Sequence, residues 1–172
     1  LIKRINFPDT INFFILHEGL ISLLNDELLE KKYSKLQDDC SSTEKNKSIF
    51  CDNKSTGGWL GFTDKYWMTA LIPDQNLPIN VNYRHGNNGR DNFRAGYTGE
   101  IVSISPNSSF TYKGKIFAGA KVLKTLNNYG QKYNIDRFDD AIDWGWFSFL
   151  TKPIFIAINW FYGLVGNFGI AI

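Results

Sequence analysis

The chain has 172 residues, enough for one large domain or one domain with an appendage. Its 19 Lys and Arg against 17 Asp and Glu leave a formal net charge of +2, too small an excess for a surface that binds phosphates by releasing counterions. With 43% hydrophobic, 21% charged and 16% aromatic residues, the composition excludes disorder, a coiled coil, a disulfide-dense mini-protein and a polybasic tail. The aromatic load suits β-sheet or a membrane interface.

The single Met is Met68 and the chain opens with Leu1, so we expect a piece of a longer protein or an unusual start codon. Lys3, Arg4, Pro8, Asp9 and Glu18 leave no apolar signal-peptide core in the first twenty residues. NFFILHEG, Asn12 to Gly19, is compact and apolar enough for a buried strand. Leu20 to Leu36 has leucines at helical spacing interrupted by Asn25 and Asp26, and reads equally as a helix or as strand, turn and strand. Residues 37–56 are polar and aperiodic, a surface loop that holds Cys40 and Cys51. Without a CxxC or a matched His pair these two are a disulfide or two free thiols, not a zinc or thioredoxin-like site.

Residues 57–120 are rich in strand signals. A Gly pair precedes Trp59, and Tyr66 to Ile72 is aromatic and β-branched. Ile79, Val81 and Tyr83 alternate with polar neighbours, as in a half-exposed antiparallel strand, and Asn87-Asn88-Gly89 is a turn. Phe93 to Ser105 and Phe110 to Ala120 flank Pro106 to Ser109, which predicts a hairpin. Short strands with turns between them indicate a β-sandwich. Over 121–137 the period changes, and Val122, Leu123, Leu126 and Tyr129 share one face of a predicted helix.

From Pro153 to Ile172 there is no charged side chain. Twenty such residues meet the length of a bilayer span, but Gly163, Gly166 and Gly169 interrupt the run. On a helical wheel started at Ser148, Thr151, Lys152, Asn159 and Gly163 fall within a sector of about 120°, and the remaining arc is apolar. This predicts a helix lying along a membrane surface, with Pro153 in its first turn and Trp144, Trp146 and Trp160 at headgroup depth. The competing reading is a hydrophobic core helix of a soluble protein.

Other chemistry is weaker. Asp136, Asp139, Asp140 and Asp143 have helical spacing that could suit a cation, but Phe138, Ile142, Trp144 and Trp146 alternate as in a strand, leaving the carboxylates on a solvated face. No Ca²⁺ loop, phosphate loop or nucleophile elbow is present. His17 and His85, beside Gly19 and Gly86, read as loop or edge residues rather than as an acid–base pair.

Two long motifs carry a resemblance: GGWLGFTDKYWMTALIP (Gly57 to Pro73) and FDDAIDWGWFSFLTKPIFIAINWFYGLVGNFGIAI (Phe138 to Ile172). They resemble the YidC-type bacterial membrane protein insertases, with ILHEG (Ile15 to Gly19) fitting an earlier strand. The resemblance implies a mainly β chain, a periplasmic β-supersandwich over 1–143 with a short helix near 121–133. An interfacial amphipathic helix over 144–166 and the start of a truncated transmembrane helix over 167–172 follow. It implies a chaperone-like, non-enzymatic role in inserting and folding inner-membrane proteins, alone or with the Sec translocon (SecYEG, SecDF), without cofactor or metal. The implied partners are nascent membrane proteins and the lipid bilayer, with no nucleic acid and no small-molecule substrate. The chain ends before the family's groove arginine, so Trp144, Trp146, Lys152, Pro153 and Trp160 are expected to be structural membrane-interface residues, and the fragment is not expected to insert proteins by itself. The alternative reading is a periplasmic sandwich that binds a protein partner or a carbohydrate.

Overall fold

A computed structural model describes residues 1–5, 17–40, 51–87, 89–145, 147–167 and 169. Most of the predicted strand at 12–19 and the inner part of the cysteine loop lie outside these residues. Two compact units result, Leu1–Ile142 and Asp143–Ile172.

Among the described residues the first unit has nine antiparallel strands in two sheets. They are β1 (Ile2–Ile5), β2 (Gly19–Leu24), β3 (Glu27–Lys32), β4 (Asp52–Thr56), β5 (Trp59–Asp64), β6 (Trp67–Ile72), β7 (Pro78–Asn87), β8 (Asp91–Gly99) and β9 (Lys115–Ala120). One sheet has the order β1-β8-β7-β4, the other β3-β2-β5-β6-β9. Helix α1 (Tyr33–Asp39) follows β3, and α2 (Leu123–Tyr133) follows β9.

The leucine-rich stretch after Gly19 is a hairpin. Asn25 and Asp26 both take positive φ, 50° and 64°, which gives the two-residue turn whose twist matches a hairpin. Strand β2 is buried at all six positions, so it lacks the alternation that marks a one-sided strand. Leu20 and Leu24 face the other sheet, where Ile79, Val81, Tyr83, Phe93 and Ala95 meet them together with Tyr33 and Leu36 of α1. Ile21 and Leu23 face the opposite way, into a second core with Trp59, Met68, Ala70 and Ile72. Leu126 of α2 and Ile135, Phe138 and Ala141 beyond it close that second core. The five-stranded sheet is thus the middle of three layers.

Polar bonds tie the layers. The Tyr83 hydroxyl donates to Ser22 Oγ at 3.0 Å across the two sheets, and the Trp59 indole donates to the Asp136 carbonyl at 3.1 Å. Burial pushes the Tyr83 phenol well above its ordinary value despite that bond. Tyr33 is raised too, first by burial and then by the neighbouring Asp64 carboxylate, to which its hydroxyl donates at 3.1 Å. The Gly-Gly-Trp motif has a steric cause. Gly58 has φ +84°, a Cβ there would overlap the Leu23 carbonyl, and Gln75 bonds both its N–H and its C=O. Cys40 and Cys51 form a disulfide with Cα atoms 5.8 Å apart, which joins the end of α1 to the start of β4.

Three expectations about this unit need correction. Residues 37–56 are not all loop, since β4 spans Asp52–Thr56 and pairs with β7. Phe93–Ser105 and Phe110–Ala120 are not a hairpin. The predicted turn forms, with Ser108 N–H on the Ser105 carbonyl at 3.1 Å, but β8 joins one sheet and β9 the other, so 100–114 is a crossover. The stretch near Asp139 is not a strand but a 3-10 helix, Phe138–Ala141. Three residues per turn bring Phe138 and Ala141 to the same face, where both are buried.

Candidate membrane-interface segment

The second unit starts at Asp143, and its local order comes from backbone and aromatic contacts. The Gly145 N–H donates to Asp143 Oδ1 at 2.9 Å, and Gly145 itself has φ +66°. This bend returns Trp144 toward the helix α3, Ser148–Val165. The Thr151 hydroxyl bonds the Trp144 carbonyl at 2.8 Å and the Phe147 carbonyl at 3.2 Å. The Phe155 ring meets Trp144 edge-on at 5.6 Å, and Lys152 Nζ stands 5.8 Å over the same indole. The Trp144 turn therefore packs along the sector that carries Thr151 and Lys152. Phe155 and, by the wheel, Tyr162 also fall in that sector, so the polar stripe is less pure than its polar members suggest.

Phe147 precedes the helix without a side-chain cap, and its carbonyl takes the N–H groups of Leu150 and Thr151 at 2.8 and 2.9 Å. Because α3 begins at Ser148, Pro153 lies in the second turn and not the first. The missing N–H leaves the Phe149 carbonyl without its usual helical donor. Gly166 ends the helix in the left-handed region at φ 70°, with its N–H on the Tyr162 carbonyl at 2.8 Å.

The decisive feature is what α3 leaves uncovered. Phe149, Lys152, Pro153, Ile156, Ala157 and Trp160 line one shallow, nearly all-apolar face. Phe149 is 75% exposed, Leu164 66% and Trp160 61%, Ile156 is exposed beside them, and Leu150, Ile154, Phe161 and Val165 are exposed on other sides. Lys152 is the one charged residue of the helix. An exposed apolar surface of this extent marks an interaction face, for a membrane or for another protein. Among the described residues no helix is long and apolar enough to cross a membrane. Trp146 lies outside the described residues, as do most of 168–172.

Other candidates from the sequence are placed elsewhere. His85 is buried on β7, 2.9 Å from Asp91 and against Phe93. His17 precedes β2 in the other sheet and bonds the Leu20 carbonyl at 2.7 Å. Asp140 pairs with Arg137 at 2.7 Å, and no metal-holding cluster occurs among the described residues.

A family model, the YidC periplasmic domain, matches residues 2–157. The chain belongs to the YidC periplasmic domain family. Relatives named "Membrane protein insertase YidC" align over nearly all of it. They include those of Rhizobium meliloti (strain 1021), 41% identical over 172 residues, and Brucella melitensis biotype 1, 41% over 173. That of Granulibacter bethesdensis is 40% identical over 176 residues. In each case the alignment covers 99% of this chain and 27–29% of the relative, so the chain spans well under a third of the YidC proteins it matches. The YidC resemblance drawn from the two long motifs agrees with these matches, and the two-sheet architecture agrees with the fold it implied.

Proposed function

We propose that this chain is the extracytoplasmic sandwich, with its membrane-docking helix, of a YidC-type insertase that places and folds proteins in the bacterial inner membrane. The observation that carries this reading is the α3 surface, apolar around most of its circumference, in a chain whose relatives are named as insertases. In the proposal residues 1–143 lie in the periplasm and 144–166 lie along the outer leaflet. Residues 167–172 begin a transmembrane helix. Trp144, Trp146 and Trp160 sit at headgroup depth, Pro153 adds to the apolar face in the second turn, and Lys152 reaches the phosphate layer while its charge rests on Trp144. The role is one of binding and positioning rather than bond-making. Nascent membrane proteins, lipid and the Sec translocon are the partners.

The test is a chimera in which residues 1–172 replace the aligned segment of the Rhizobium meliloti insertase. We expect the chimera to restore insertion of membrane proteins in cells depleted of their own insertase. A chimera that accumulates in the membrane at normal levels yet restores nothing, while the unaltered relative does, overturns the assignment.

A further inference from the structure

Cys40 and Cys51 are the only cysteines of the sequence, so one pairing exists within it and the bond needs oxidation rather than rearrangement. The fold then closes over that bond. Cys40 is 4% exposed and Cys51 2%, and both belong to the core that also holds Tyr33, Leu36, Tyr83 and Phe93. Further chain from a longer protein can only deepen this burial.

Each cysteine is also held through its backbone. The Cys40 N–H donates to the Leu36 carbonyl at 3.0 Å, and the Cys40 carbonyl accepts the His85 N–H at 2.7 Å. Arg84 donates from Nη1 to the Cys51 carbonyl at 3.1 Å and from Nη2 to both Asp52 carboxylate oxygens, at 2.8 and 3.0 Å. The Asp39 carbonyl oxygen lies 3.2 Å from Cys51 Sγ. From Asp52 onward β4 is paired with β7.

Thiol–disulfide exchange needs a thiolate to reach a sulfur. In the folded unit neither sulfur is open to one, and exposing them means lifting the end of α1 or the start of β4 away from β7. The bond is therefore made while this region is open and is then shut away. A reversible redox switch, by contrast, keeps its sulfurs within reach. Time decides what makes the bond. Sheets paired over long sequence distances fold in about milliseconds to seconds, whereas uncatalysed disulfide chemistry takes about minutes to hours. Without a fast oxidant the chain buries its thiols first.

We propose that the reduced, unfolded chain is a substrate of a protein disulfide donor of the thioredoxin type, in the compartment where the sandwich folds. One chain thiolate attacks the donor disulfide, which forms a mixed disulfide and releases the donor's other sulfur as a thiolate. A donor sulfur with a depressed thiol pKa leaves fastest. The second chain thiolate, 11 positions along, attacks the chain's own sulfur in the mixed disulfide, closing Cys40–Cys51 and releasing the donor as a dithiol. Two electrons and two protons pass from chain to donor. The short spacing keeps loop closure cheap, so this second step outruns attack by a foreign thiol. The inference rests on the buried disulfide and not on the insertase reading.

The test uses the 172-residue chain, reduced and unfolded in urea, then diluted into detergent buffer. The buffer holds an oxidised bacterial thiol oxidase of the thioredoxin fold, the same concentration of glutathione disulfide, or neither. Acid quenching, alkylation of remaining thiols and mass spectrometry follow the bond with time. The protein donor should close Cys40–Cys51 at least about tenfold faster than glutathione disulfide, and Cys51→Ser should accumulate the mixed disulfide at Cys40. A reduced chain left to fold before the donor is added should oxidise at least about tenfold more slowly. Equal rates for the two oxidants, or for the open and the folded chain, overturn the proposal. If the reduced chain does not fold, the oxidised parent supplies that arm. Dithiothreitol should then reduce it at least about tenfold more slowly in buffer than in urea, and equal rates overturn the proposal.

Discussion

Replacing Trp160 by Ala should measure how much of α3 enters lipid. Trp160 is 61% exposed, and on a side chain of roughly 250 Å² that leaves roughly 150 Å² to immerse. At about 25 cal/mol per Å² full immersion is worth about 4 kcal/mol, and half immersion at an interface about 2 kcal/mol, or about thirtyfold in partitioning. The control is Asn159→Gln, one residue earlier but within the polar sector, for which less than about a twofold change is expected because that side stays in water. Both proteins would be diluted from detergent into sucrose-loaded phospholipid vesicles, and the bound fraction read after sedimentation against lipid concentration. Near-ultraviolet circular dichroism would check that the sandwich is intact in each. If Trp160→Ala partitions like the parent, or if Asn159→Gln loses as much, α3 does not lie with its polar sector toward water and the orientation is wrong.

Phe138 is buried edge-on to Trp59 and Phe117, each at 5.5 Å, so Phe138→Ala should lower stability in urea by about 3–5 kcal/mol and Phe138→Leu by less than half of that. The Cys40→Ser, Cys51→Ser double variant should lose about 3 kcal/mol, the value expected for a short closed loop, and reductant should shift the parent's midpoint by a similar amount and leave the variant's unmoved. Tyr33 and Tyr83 have phenols raised above their ordinary 10.0. The unfolded chain releases these protons near that pH while the folded chain keeps them, so stability is complete below pH 10 and falls as pH rises beyond it. Thermal melts across pH 9–12 should show a shallower fall in Tyr83→Phe, which should also melt earlier at neutral pH because Ser22 loses its partner.

Much of this protein is written in local pattern. The alternation Ile79, Val81, Tyr83 marks β7, whose odd positions are buried up to His85. The period change after Ala120 marks α2, and the uncharged run after Lys152 marks the unusual tail. These features depend on neighbours a few residues away, which a linear chain displays directly. Distant partners decided the rest. Leu20 to Leu24 looks as helical as it does extended until sheets and helix cover both of its faces, because a strand buried on both sides keeps no period of two. The turn at Pro106 to Ser108 is local, but which sheet receives β8 and which receives β9 depends on pairing with β7 and β6. Phe138 and Ala141 alternate no better with a strand than with a 3-10 turn, and the pocket beside Trp59 and Phe117 chose the turn. Cys40 met Cys51 because α1 ends beside the start of β4. That β9 ends its sheet among the described residues is invisible in KIFAGA itself, since an edge exists only when the other strands have found their places.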